Sequence, residues 1–306
     1  MYEKILTPLD GSELAEVVLP YAKELAGRLD LDLILLRVCE KPASTQTCQV
    51  YLKEVAERLK TQVLEVQAQT GQLPGGKTVE VRTEVAIGHP AEEILHCAEE
   101  NKVDMILMAT HGYSGVRRWV IGSVADKVLR KSAVPVWLVR AGIPETISHD
   151  EWAKRTILVP LDGSKAAEAV LPHIEKLARQ RDTEPMNVVL IRVVEPPFIT
   201  SDYPEADMAL SWKQHEKRMK SYVRREARRY LANLTKRLSN AGVRVQFVVL
   251  TGQPAEKIIE IARRYTPNLI VLTANGLSGL GGWELGHVAD KILHGVSSPV
   301  FLIRPH

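Results

Sequence analysis

The chain has 306 residues, 45% of them hydrophobic, and a formal net charge of +3 from 40 basic and 37 acidic side chains. That is enough apolar material for two ordinary domains, each with its own core, and too even a charge balance to imply nucleic acid or a membrane surface as a partner. No apolar run approaches the ~18 residues of a bilayer-spanning helix, and the three cysteines, Cys39, Cys48 and Cys97, are odd in number without metal-knuckle spacing, so they read as free thiols in a reducing compartment.

The chain opens on KILTPL, a strand rather than a charged-then-apolar leader, which predicts a soluble, cytoplasmic protein. Ile5 to Pro8 is a short buried strand closed by Asp10-Gly11-Ser12. Glu13 to Leu29 carries apolar residues at helical spacing, with Ser12 as a plausible N-cap and Pro20 inside the helix, where it bends it or removes a hydrogen bond. Asp32 to Val38 is nearly all apolar, as in a strand covered on both faces. An amphipathic helix from Tyr51 to Thr70, a strand over Thr78 to Glu84 and a helix from Pro90 to Asn101 follow. Then come a strand over Met105 to Ala109, a helix over Gly122 to Lys131 and a last strand over Val136 to Arg140.

After a polar linker, Ala141 to Lys154, the same text returns. KILTPLDGSELAEVVLP is answered by TILVPLDGSKAAEAVLP, GHPAEEI by GQPAEKI and SAVPVWLVR by SSPVFLIR. Gly112 and Gly276, and Arg140 and Arg304, keep one offset of 164 residues. A period this long is a duplicated domain and not a solenoid unit of roughly 20–50 residues. The expected architecture is therefore α/β: residues 1–141 and 155–306 as two tandem domains, each with a parallel sheet of about five strands, joined through 142–154. The extra length of the second copy lies between Val188 to Val194 and Arg244 to Leu250. It carries PPFITSDYPEAD and a long helix from Met208 to Asn240.

Ligands of doubly wound sheets bind beyond the carboxyl ends of the strands, where the winding direction reverses. If the first and fourth strands are neighbours there, the loop from Leu9 to Ser12 meets the glycine-rich loop from Thr110 to Ser123. Gly112 and Gly115 permit close backbone approach. Gly122 and Ser123 open a helix whose free N–H groups and positive end favour an anion. Arg117 and Arg118 either supplement that charge or are simply solvated. The bland alternative is that the loops are only tight turns, since glycine motifs alone are weak.

These residues resemble the universal stress protein family, in tandem form, over both copies nearly end to end. The family's ATP-binding signature is glycine, two residues, glycine, nine residues, glycine, then serine or threonine. Its counterparts in the first copy are Ala109, Gly112, Gly122 and Ser123, with alanine as the one departure. The resemblance implies a Rossmann-like, adenine nucleotide alpha hydrolase-like fold and an ATP site, with ADP or AMP and Mg2+ as further candidates. It places Asp10 near ribose and phosphates, Val38 in the adenine pocket and Gly112, Gly122, Ser123 and Val124 at phosphate, with Pro8 and Ala109 in the same cleft. In the second copy the counterparts are Asp162, Val193, Thr273, Gly276, Gly286 and His287. There the hydroxyl is replaced by an imidazole with the bulk to fill the phosphate space, and Gly281 and Gly282 stand where the arginine pair was. The expectation is that the first copy binds nucleotide and the second is weak or silent, although a protonated His287 would itself attract phosphate.

The resemblance also implies that the last strands, exposed apolar sheet edges on their own, meet inside the chain as a pseudo-dimer, with a further homodimer left open. The implied role is a nucleotide-responsive stress sensor or adaptor with at most slow hydrolysis. The rivals are a scaffold with decayed sites and an enzyme acting on a phosphorylated ligand in the same cleft, which would need an acid–base pair near Asp10 and His111.

Other motifs carry less. Gly71 to Thr78, GQLPGGKT, fits the P-loop pattern letter for letter, but a helix precedes it and a strand follows, the reverse of what the mechanism needs. It reads as a helix-ending turn. The stripe of Lys217, Arg218, Lys220, Arg224, Arg225, Arg228 and Arg229, interrupted by Glu216 and Glu226, reads as a solvated face before it reads as a nucleic-acid contact. The nine histidines show no metal-ligand spacing, and Ser12 and Ser164 read as caps and not as nucleophiles.

Overall fold

The computed structural model describes residues 2–71, 77–111, 121–140, 156–178, 186–195, 206–275 and 285–305, the side chains of 206–213 excepted. The Gly112 and Gly276 loops, Gly115, Arg117, Arg118, Gly281, Gly282 and the linker up to residue 155 lie outside the described residues, as does the centre of the P-loop-like segment.

The first copy runs β1 (Lys4–Pro8), α1 (Glu13–Glu16), α2 (Leu19–Leu29), β2 (Asp32–Cys39), α3 (Thr45–Gln69), β3 (Val81–Ile87), α4 (Pro90–Glu100), β4 (Met105–Ala109), α5 (Ser123–Lys131) and β5 (Val136–Val139). The second runs β6 (Thr156–Pro160), α6 (Leu171–Ala178), β7 (Asn187–Val194), α7 (Ala206–Asn240), β8 (Arg244–Thr251), α8 (Pro254–Tyr265), β9 (Leu269–Thr273), α9 (His287–Gly295) and β10 (Val300–Ile303).

Pro20 does more than bend a helix. The predicted helix over Glu13 to Leu29 is two helices, and Pro20 sits in the first turn of α2, where its missing N–H costs nothing. Ser12 caps α1 by accepting from the Ala15 N–H at 3.2 Å. The helix expected from Tyr51 begins earlier, at Thr45, after a short 3-10 turn over Pro42–Ser44. The strand expected at Thr78 begins at Val81 and runs to Ile87, set by pairing with β2 from Leu33↔Val81 to Cys39↔Ile87.

That 3-10 turn also overturns the reading of three free thiols. It reverses the chain between the end of β2 and the first turn of α3, so Cys39 and Cys48 meet and are joined as a disulfide. Cys97 remains free and buried. Its Sγ donates to Glu84 Oε2 at 3.1 Å, and burial, then the Glu84 carboxylate, push the thiol up to about 12.

The ten strands among the described residues form one sheet in the order β3-β2-β1-β4-β5-β10-β9-β6-β7-β8. Within each copy the pairing is parallel, and the copies meet at β5 and β10, which pair antiparallel. Trp137 and Phe301 lie directly opposite, with ring centroids 5.2 Å apart, flanked by Leu138↔Val300 and Val136↔Leu302. These residues are related by the duplication offset, so the edge pairing is self-complementary. On the same face the Tyr2 hydroxyl hydrogen-bonds His173 Nδ1, a second tie between the copies.

Two apolar cores cover the sheet. Leu33 and Leu35 of β2 point into a layer with α2, α3, α6 and α7, while Ile34 and Leu36 point into one with α4, α5, α8 and α9. The alternation explains why β2 lacks a polar face. In α7 no described residue from Gln214 to Glu226 is buried. Its basic stripe is solvated and partly paired, Arg229 with Glu226 at 2.9 Å and Lys220 with Glu216. Among the described residues no helix is long and apolar enough to cross a membrane, and no cluster of ligating side chains suits a metal ion.

Candidate functional site

The winding direction reverses between β1 and β4, which are paired through Ile5↔Met105 and Leu6↔Ile106. The cleft predicted between the first and fourth strands therefore sits at a switch point, on the face covered by α4 and α5. The second copy repeats this with β6 and β9.

One wall is the loop after β1. Leu9 N–H bonds to Leu36 C=O at 2.8 Å, which extends the β1–β2 ladder by one residue. Asp10 Oδ1 then accepts from the Ser12 N–H at 3.0 Å and from the Ser12 hydroxyl at 2.6 Å, which closes the turn. Asp162 Oδ1 makes the same pair of bonds with Ser164, at 2.8 Å and 2.6 Å. Gly11 and Gly163 sit in the left-handed region, φ +81° and +86°, which an L side chain rarely adopts.

The opposite wall begins at the end of β4. Thr110 N–H bonds to Val139 C=O at 2.8 Å, and Thr110 C=O accepts from the Gly122 N–H at 2.8 Å, which pins the start of α5 against the strand end. A Cβ on Gly122 would stand 3.0 Å from that carbonyl, so a side chain there would press on the strand end. Ala274 and Gly286 repeat the bond at 2.8 Å. Gly122 is the N-cap of α5 and Gly286 that of α9, so Ser123 and His287 are first helical residues, both exposed, among N–H groups that have no partner inside the helix. His111, beside Gly122, is held below the usual imidazole range by burial and then by the positive charge of Arg140.

In the second copy these walls enclose a cavity of about 280 Å³, bounded by Asp162, Val193, Thr273, Gly286, His287 and Val288 among others. His287 lines this space, which stays open beside it. Of the residues singled out in the sequence, Pro8, Asp10, Val38, Ala109, Gly122, Ser123 and Val124 occupy the corresponding strand ends and helix start of the first copy. Gly112 and Gly276 lie outside the described residues.

One constellation escaped the sequence reading. Beneath Gly11 lies the Arg37 guanidinium, which is stacked over the Tyr51 ring at 5.0 Å, and the Tyr51 hydroxyl donates to Glu16 Oε1 at 2.9 Å. Beneath Gly163, Arg192 stacks over Tyr230 at 5.1 Å beside Glu168. Both phenols are pushed well above their usual range, by burial first and then by the neighbouring glutamate. The signal was available: Arg37 and Arg192 each precede the valine of the cleft by one residue, and Glu16 and Glu168 each follow the aspartate by six.

The model of the universal stress protein family matches residues 1–140 and again 154–304. Universal stress protein YxiE of Bacillus subtilis is 30% identical over 148 residues, covering 46% of this chain and 100% of its own length. Universal stress protein MJ0531 of Methanocaldococcus jannaschii is 30% identical over 141 residues, covering 46% of this chain and 83% of its own. Universal stress protein Rv2005c of Mycobacterium tuberculosis is 24% identical over 231 residues, covering 74% and 70%. Among solved structures, a universal stress protein from Archaeoglobus fulgidus superposes with a TM-score of 0.64 at 17% identity, over 99% of this chain and 96% of that one. The functionally unknown protein PA1789 from Pseudomonas aeruginosa gives 0.69 at 16%, over 99% and 93%; at such identities the likeness concerns the fold. With the family matched over both copies, the chain belongs to the universal stress protein family, as a tandem of two of its domains.

Proposed function

We propose that this chain binds an adenine nucleotide in its strand-end clefts and serves as a nucleotide-responsive sensor or adaptor in the stress response, with hydrolysis at most slow. It is read as a cytoplasmic protein whose units, 1–141 and 155–306, join through β5 and β10 as an internal pseudo-dimer. The observation that carries the reading is the duplicated cleft itself. An aspartate turn at the end of one central strand faces a glycine-opened helix at the end of the next, and in the second copy this arrangement encloses a cavity of about 280 Å³. The residues suit a nucleotide: free N–H groups and a positive helix end for phosphate, apolar Val38 or Val193 for the base, and Asp10 or Asp162 for ribose hydroxyls or a phosphate-bound Mg2+.

The first cleft, with Ser123, is the principal site, and ATP is the leading ligand. The second is weaker, because His287 supplies phosphate with a donor only in the appropriate tautomer or when protonated. One observation favours a scaffold with decayed sites instead, namely that Ala109, Thr273 and His287 depart from the family signature.

Calorimetric titration of nucleotide-stripped protein with Mg-ATP tests the reading. One site per chain, lost in Gly122→Trp and weakened in Ser123→Ala, is the expected result. Two equal sites would show that the discount applied to the second cleft is wrong. Absence of heat, with no nucleotide released on denaturation, would leave the scaffold.

A further inference from the structure

The two arginines that end the copies, Arg140 and Arg304, each reach across the β5–β10 seam to the helix that opens the other copy's cleft. Arg140 Nη2 donates to Leu293 C=O at 2.7 Å, in the last turn of α9. Arg304 Nη2 donates to Leu129 C=O at 2.7 Å and also to Arg130 C=O, in the last turn of α5. Leu129 and Leu293 are related by the same 164-residue offset as the arginines, so the exchange is reciprocal. Arg140 is buried and Arg304 half-buried, in contact with carbonyls that have no partner within the helix.

A guanidinium at a helix C-terminus satisfies those carbonyls and complements the negative end of the dipole. Here the helices are short, nine residues each, so the capped end lies only about 10 Å from the N-terminal residue at 1.5 Å per residue. The N-terminal residues are Ser123 and His287, at the helix starts, and His287 lines the second-copy cavity. Fixing one end of so short a helix fixes the other, because a cap lost at the last turn frays a large fraction of its hydrogen bonds. The charge of Arg140 is also felt at His111, where after burial it disfavours the protonated imidazole.

We infer that Arg304 is a positioning residue for nucleotide in the first cleft and Arg140 for nucleotide in the second, each acting on the copy to which it does not belong. The inference rests on the nucleotide reading above. It gives the seam a role beyond burying two sheet edges, since each cleft is completed by the other half of the chain.

The test uses the full chain and hydrogen exchange read by mass spectrometry, with and without Mg-ATP, following peptides that span 123–131 and 287–295. Arg304→Met is expected to raise exchange in 123–131 of the nucleotide-free protein. It should weaken the nucleotide-dependent protection there by roughly three- to thirtyfold in apparent affinity, the range for a charge at a partly buried helix end, while 287–295 is unchanged. Arg140→Met should raise exchange in 287–295 of the nucleotide-free protein and leave 123–131 unchanged. Arg304→Gln, which keeps a neutral donor, should recover part of the protection, and it replaces the Met variant should that one fail to fold. A merely structural arginine would lower stability without this division between the two peptides. The inference is overturned if both peptides respond equally to either variant, or if neither responds. Should the wild-type chain take up no Mg-ATP, the nucleotide reading fails by itself, and exchange in the nucleotide-free variants still decides whether the helices are held across the seam.

Discussion

Gly11→Ala isolates the missed constellation. Gly11 has φ +81°, and a Cβ there would lie 2.9 Å from Arg37 Cζ and 3.0 Å from Arg37 Nη2, with Nη1 closer still. The left-handed conformation costs an L residue roughly 1–2 kcal/mol. Pushing the guanidinium off Tyr51 forfeits a cation–π contact of about 0.5–1 kcal/mol, and the stiffer unfolded chain returns about 0.4–1 kcal/mol. The net expectation is a loss of about 1.5 kcal/mol. Gly242→Ala is the control, for Gly242 has φ +85° and nothing within 4 Å of its would-be Cβ, so it carries the backbone strain alone. Urea denaturation should rank Gly11→Ala below Gly242→Ala by about the cation–π contribution of 0.5–1 kcal/mol. Only Gly11→Ala should also weaken Mg-ATP binding, because Asp10 closes the same turn through its two bonds to Ser12. If the two variants prove equal in stability and leave binding untouched, Arg37 does not support the loop and the reasoning fails.

Three further outcomes can be checked. Trp137→Ala, which empties a site 2% exposed against Phe301 and Tyr21, should cost about 3–5 kcal/mol by calorimetry and destabilise both copies together, since the ring packs on each. Thiol titration of the denatured, unreduced chain should count one reactive group, Cys97, and three after reduction; three at the outset would show Cys39 and Cys48 to be unjoined. His111 binds its proton less readily folded than unfolded, so its contribution to stability is complete above pH about 6.5 and is lost as pH falls below it. His111→Gln should flatten that acid limb in denaturation measured between pH 7 and 5, and an unchanged slope would assign the limb to other groups.

The fold was largely legible because duplication supplies two readings of each element. β4 starts and ends where its apolar run does, and the condition on which the cleft rests, that β1 and β4 are neighbours, is met. What escaped was set by tertiary geometry. The break between α1 and α2 follows from where Pro20 falls relative to a new helix start, which periodicity does not reveal. β3 is displaced toward Ile87 because its ends are dictated by the register with β2 and not by its own alternation. The Cys39–Cys48 bond depends on a three-residue 3-10 turn that returns the chain, and spacing alone gave no hint of it. The tyrosines under the cleft loops illustrate the same limit. Tyr51 and Tyr230 sit in helices of different length, 25 and 35 residues, so their separation of 179 residues matches neither the 155 between Arg37 and Arg192 nor the 164 between the last arginines.

The duplication also bears on what the second copy supplies, whose cleft has His287 where the first has Ser123. A single copy would leave β5 as an open apolar edge and the last turn of α5 without its arginine, since both are supplied by residues 300–304. The second copy is therefore needed structurally by the first whether or not its own cleft binds anything. That support runs through Arg304, Phe301 and the short helix α9, and not through His287 or Thr273. On this argument, ligand binding and structural support separate within the second copy. Substitutions lining its cavity should change only its own cleft, whereas substitutions on its last strand should be felt in the first.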